Sequence, residues 1–212
     1  MVITYYGLAS VKVQFGDMVL AFAPVGKDAY PKASRFGADI ALVPVRDAQY
    51  NGVDSVIYGD KEPFLIDGAG EYEIKGIYVK GVASVGPEGK INTIYTVLLE
   101  GMTLCHLGAL SKPELSAEIV EQLGEIDLLF LPVYNHDLLT AAAADAVATE
   151  LEPKIVVPLY ARGGDYPIGK DPLTLFLKES GEEGSTPVEK LTLKKKDLEH
   201  KEGEIVVLAP YA

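Results

Sequence analysis

The chain has 212 residues, 48% hydrophobic and 24% charged, enough to bury a core without staples and consistent with one domain over residues 1–212. Its formal net charge of -12 repels phosphate backbones and argues against nucleic acid as a partner. A single cysteine, Cys105, rules out an internal disulfide, and no apolar run reaches membrane-spanning length, so a cytoplasmic chain with no membrane partner and no signal peptide is expected.

Strand-like runs fill the first half. Val2 to Tyr6 leads, and Val11 to Phe15 alternates apolar with polar residues. Gly16-Asp17 reads as a tight turn into Met18 to Phe22. Asp39 to Val43 is nearly all apolar, as a strand covered on both faces should be. Val56 to Tyr58, Phe64 to Ile66 and Ile77 to Val79 read as further strands, and Gly68 to Glu71 as a turn. Thr93 to Leu99 and Met102 to Leu107 form a predicted hairpin about Glu100-Gly101.

The pattern then shifts to alternating helix and strand. Ser111 with Glu114 has capping-box spacing, and Leu115, Ile119 and Leu123 follow at helical intervals before Gly124. Ile126 to Pro132 and Ile155 to Val157 read as buried strands flanking a helix over Thr140 to Leu151. Asp171-Pro172 opens a short helix that Gly181 closes. Leu191 to Leu193 and Ile205 to Leu208 are the last predicted strands. This order predicts two sheets packed face to face with helices outside.

Motifs for common chemistries are missing. There is no G-x-S-x-G elbow, no phosphate loop and no dinucleotide fingerprint. Only three histidines occur, His106, His136 and His200. Catalytic zinc takes three protein ligands, and no ligand spacing in the chain supplies them. Cys105 and His106 are neighbours on a predicted strand and point to opposite faces. His200 lies in a charged tail, where it reads as exposed. His136, just past a buried strand, reads either as a helix-capping loop residue or as a site residue.

The chain resembles the metallo-β-lactamase fold superfamily, in its branch of short metal-dependent hydrolases that includes ascorbate-6-phosphate lactonase-like proteins. Ile3-Thr4-Tyr5-Tyr6-Gly7 is similar to the opening strand, and Val19 to Pro24 to the strand that ends in Asp-Pro. Ala38 to Gly52, Ile66 to Glu73, His106-Leu107-Gly108, Leu131-Pro132-Val133 and Ile155 to Pro158 match later segments in order. The resemblance implies an α/β fold of α+β character, a four-layer αββα sandwich with a metal site at one edge.

That site's ligands are replaced. Where the family reads Thr-His-x-His-x-Asp-His, this chain reads Pro44-Val45-Arg46-Asp47-Ala48-Gln49-Tyr50. The bridging aspartate is Ala109, the last histidine is Tyr160, and the aspartate before Pro24 is Ala23. No metal and no other cofactor is therefore expected, and metal-activated water is lost with them. The reading that follows is a pseudo-hydrolase with a binding or assembly role. The alternative is a hydrolase with a relocated or metal-independent site, with Asp47, His136 and Tyr160 as acid–base candidates. Arg46, Gln49, Tyr50, Asn135 and Arg162 are the candidate ligand-binding residues, expected to gather with them at the site mouth around a small polar ligand. A homo-oligomer, or association with an active paralogue, is the expected form of any assembly.

Overall fold

The computed structural model describes residues 1–26, 35–133, 138–160 and 171–211. Strands β1 (Val2–Tyr5), β2 (Val11–Phe15), β3 (Met18–Phe22), β4 (Ile40–Leu42) and β5 (Phe64–Ile66) come first. Strands β6 (Gly70–Ile74), β7 (Ile77–Val85), β8 (Ile91–Leu99) and β9 (Met102–His106) follow. Then come α1 (Ala117–Leu123), β10 (Leu128–Pro132), α2 (Ala141–Leu151), β11 (Ile155–Leu159), α3 (Pro172–Glu179), β12 (Leu191–Thr192) and β13 (Glu204–Ile205).

They build two sheets. The first runs β12-β1-β2-β3-β4-β5 and the second β13-β11-β10-β9-β8-β7-β6. In the second sheet, β6 to β9 form an antiparallel meander, while β9, β10, β11 and β13 lie parallel. The parallel strands are apolar throughout because both faces are covered, and every residue of β10 and β11 is buried. Alternation appears where one face meets water, as at the start of β2, where Val11 and Val13 are buried and Lys12 between them is not. The two-residue loop Glu100-Gly101 joins Leu99 to Met102 with both φ positive, at 56° and 69°, the conformation whose twist matches a hairpin.

The core lies between the sheets and under the helices. Tyr5, Phe22, Ile40 and Ile66 of the first sheet and Tyr95, Leu104 and Phe130 of the second belong to one buried cluster. Helix α1 packs on β7, α2 packs on β10, and α3 lies along α2. Outside the first sheet, Val56 packs with Val19, Ala21, Ala38 and Ala41 in a second apolar cluster. The two packed sheets, with the α-helices on the second and the Val53–Val56 segment on the first, make an α/β sandwich among the described residues.

Of the expected strand Ile205 to Leu208 only Ile205 lies in β13, and two other expected elements differ. Val56 to Tyr58 is not a strand: Val53–Val56 makes a turn of 3-10 helix. Its carbonyls accept from Phe36 and Ala38 N–H instead of from a sheet, which lets Val56 turn inward onto the first sheet. The first long helix starts at Ala117, capped by Ser116, not at Ser111. The Ser111 hydroxyl is drawn to the Gly86 and Val85 carbonyls (2.9 and 3.1 Å), which tie this stretch to the tip of the β7–β8 hairpin.

Candidate functional site

In open α/β sheets, ligands gather at the carboxyl ends of the strands. Here three such ends meet: the loop after β4 (44–52), the loop after β9 (107–111) and the exit of β11 at Tyr160. Tertiary hydrogen bonds through the start of β8 join the first two. Thr93 N–H donates to the Pro44 carbonyl (2.9 Å). Asn92, fully buried, donates to the Leu107 carbonyl (2.9 Å) and Ser84 Oγ (2.8 Å), and its Oδ1 accepts from Ala109 N–H (2.8 Å). Gly26 N–H reaches the Ala48 carbonyl (3.1 Å), and Gly52 N–H the Pro24 carbonyl (2.7 Å).

At four of the replaced positions the side chains face inward, while Asp47 and Gln49 do not. Val45, Tyr50, Ala109 and Tyr160 are 3%, 6%, 0% and 8% exposed, and all four join the main apolar core. Tyr160 Oη donates to the Leu208 carbonyl (2.9 Å), and Tyr160 N–H donates to Tyr5 Oη (2.7 Å). The Tyr5 hydroxyl in turn lies against the carbonyls of Leu8 (2.8 Å) and Tyr160, and burial raises its pKa well above the ordinary value. Ala23 is also buried. Among the described residues, these five positions thus carry hydrocarbon or phenol side chains, all within the core.

The charged candidates lie above that layer. Arg46 is exposed and pairs with Asp67 Oδ2 (2.8 Å). Asp47 accepts from Gln49 N–H (3.1 Å) and pairs with Lys90 (3.0 Å). These bonds hold its carboxyl below the usual range, the backbone donor having the larger effect. The Gln49 side chain is exposed. So Arg46, Asp47, Gln49 and Tyr50 share one loop, with the two charges outward and Tyr50 inward. Asn135, His136 and Arg162 lie outside the described residues.

His106 is a core residue. It is fully buried, and its Nε2 bonds the Ala9 carbonyl (2.8 Å) while Nδ1 accepts from Gly108 N–H (3.0 Å). These partners fix the proton on Nε2. The ring stacks on Phe22, centroids 5.3 Å apart, and tilts against Phe130. Burial pushes its pKa down to about 4. Cys105 is buried too, and desolvation drives its thiol pKa far up. Among the described residues, no three of His, Cys, Asp or Glu come together as a group able to hold a metal.

A cleft of about 520 Å³ opens beside the altered loop, lined by Pro44, Arg46, Asp67, Ala83, Lys90 and Ile91 among others. Lys90, Ala83 and Ile91 carry no motif signal, and only the hairpin's reach past the first sheet reveals them.

The profile of a family described as the beta-lactamase superfamily domain matches residues 2–160. Among solved structures, a proposed Zn-dependent hydrolase of the metallo-beta-lactamase superfamily from Thermotoga maritima is 26% identical, with a TM-score of 0.78 over 98% of this chain and 97% of that one. A proposed metal-dependent hydrolase from Parabacteroides distasonis is 20% identical, with a TM-score of 0.64 over 85% and 90%. A metallo hydrolase from Ignicoccus hospitalis is 15% identical, with a TM-score of 0.65 over 100% and 96%. The last two show the shared fold. No curated protein sequence matches.

Proposed function

We propose that this chain, which belongs to the beta-lactamase superfamily, is a pseudo-hydrolase: a metallo-β-lactamase scaffold that binds or assembles without a catalytic metal. The observation that carries the reading is the burial of Val45, Ala109 and Tyr160 in the apolar core, at positions where the family places ligands. Hydrocarbon side chains offer an ion no lone pair, and the Tyr160 hydroxyl already donates to the Leu208 carbonyl. Asp47 alone keeps a carboxylate in the altered loop, and Lys90 neutralises it. The same partners argue against these groups as a relocated acid–base pair. Tyr160 Oη is sequestered, and a carboxyl held below its usual range is a weak base at neutral pH.

Elemental analysis of the purified protein, after incubation with zinc and manganese and removal of excess ion, tests this. Much less than one metal per chain is expected. One or two tightly held ions per chain would overturn the reading and restore hydrolysis as the leading function. The binding role, a cytoplasmic location and any self-association or pairing with an active paralogue belong to the same proposal.

A further inference from the structure

We propose that β6 is a docking edge for an extended segment of a partner protein, one in which basic residues alternate with apolar ones, added to the second sheet as a further strand. The inference goes beyond the reading above and stands whether or not the chain holds metal.

The main chain supplies the first argument. Strands β12, β5, β13 and β6 form the sheet edges, and β6 is the longest, five residues against two, three and two. The β6–β7 hairpin closes through Lys75-Gly76, both φ positive at 52° and 77°. Ile74 and Ile77 beside such a two-residue loop exchange both main-chain bonds, and bonded and non-bonded pairs alternate from there. Ile74, Tyr72 and Gly70 therefore bond β7, while the N–H and C=O of Glu71 and Glu73 point away from it. Among the described residues nothing bonds these main-chain groups, and both residues are exposed. Two donors and two acceptors stand at the spacing that an added strand uses.

The side chains select the occupant. Tyr72 and Ile74 are half-buried and pack on the core between the sheets, while Glu71 and Glu73 stand on the opposite face. A strand beside β6 thus meets apolar neighbours on one face and carboxylates on the other. Among the described residues neither carboxylate has an ion-pair partner; the Tyr78 hydroxyl bonds Glu71. Lys80, opposite Glu71 on β7, reaches the Gln122 carbonyl (3.0 Å), and Asp39 holds Lys75 (3.0 Å) and Lys61 (2.7 Å). Those cations lie behind the edge or past its end, and pairing across strands is set by direct neighbours. Lysine or arginine beside Glu71 and Glu73 is favoured, more so on a chain of net charge -12. A second copy of this chain is disfavoured by the same rule. Antiparallel pairing of β6 with its two-fold mate sets Glu71 against Glu73, or one of them against itself.

Titration of the isotope-labelled full chain with the capped peptide Lys-Val-Lys-Ile-Lys-Val-Lys, followed by amide hydrogen exchange in NMR, tests the edge. The Glu71 and Glu73 amides should gain about tenfold protection, while Tyr72, already bonded to β7, changes little. Glu73→Lys, at an exposed position, should weaken the peptide about fivefold and improve binding of Glu-Val-Glu-Ile-Glu-Val-Glu. A peptide with its lysines grouped at one end, or N-methylated where it faces the edge, should lose the protection. No protection at millimolar peptide, equal protection by the acidic or grouped peptide, or protection that rises with the concentration of the chain alone would each overturn the proposal. The last outcome would make β6 an interface between copies. Metal content of the same sample bears only on the pseudo-hydrolase reading, so either reading can fail alone.

Discussion

The two ends of the parallel strands treat charge in opposite ways. At the amino ends of β9 to β11, Asp127 is only 7% exposed. It accepts from Thr103 N–H (2.9 Å) and pairs with Lys154 (2.6 Å) and Lys195 (3.4 Å). Burial alone would raise its pKa, but the lysines and the backbone donor outweigh it, and the net shift is downward. At the carboxyl ends, the buried positions are uncharged, His106 and Asn92 included, and the charges, Arg46, Asp47, Asp67 and Lys90, stand at the surface. A hydrolase needs the reverse, with charge buried where chemistry occurs and hydrocarbon elsewhere. The difference teaches that polar atoms at the site edge now brace loops, through Asn92, or face solvent, while the sequestered ion pair at the far end is structural.

The largest expected effect breaks the bracing at the site edge. A Cβ on Gly52 would collide with the Gly26 nitrogen and the Val25 carbonyl, all backbone atoms that cannot swing aside. Gly52→Ala should therefore cost about 4 kcal/mol or more in urea denaturation. Loss under 1 kcal/mol would mean that the two loops are not locked together.

Acid should next reveal the core histidine. His106 is held neutral, with a pKa of about 4 against 6.5 for a free ring. Between these values the unfolded chain binds a proton that the folded chain refuses. Its contribution is thus fully present above pH 6.5 and is lost as pH falls toward 4. The loss amounts to about 3 kcal/mol. Denaturation midpoints across this window check it. His106→Gln should flatten the slope while lowering stability at neutral pH, and an unchanged slope would show that the ring titrates normally.

The smallest effects compare the ion pairs directly. Asp127→Asn keeps an acceptor for Thr103 but strands two lysines, both partly exposed, so about 1–2 kcal/mol is expected. Arg46→Gln breaks a pair at the surface and should change stability by less than about 0.5 kcal/mol. Equal costs in thermal or urea unfolding would erase the contrast between the ends.

Much of the fold was legible in the residues. Apolar runs marked β4, β10 and β11 because a strand covered on both faces has no polar side to show. Asp171 caps its helix as expected, and Thr140, read as the first helical residue, is the cap of α2; each accepts from the N–H three residues on. Ser111 misled because a capping-box pattern records only local options, and its hydroxyl found acceptors 25 and 26 residues away. The altered motif was also legible, since none of the three histidines falls within residues 44–50.

By itself the sequence determined the alternating elements, the family's segment order and the absence of the ligand motif, all of which follow from local patterning and composition. Only the tertiary structure decided that Tyr160 and Val45 turn into the core, that His106 is a neutral packing residue, and that Ile91 overhangs the first sheet. Burial and exposure at those positions depend on where distant strands stop, and β5 ends 25 residues before Ile91 begins β8. No periodicity in either segment encodes that offset; it arises when the two sheets pack.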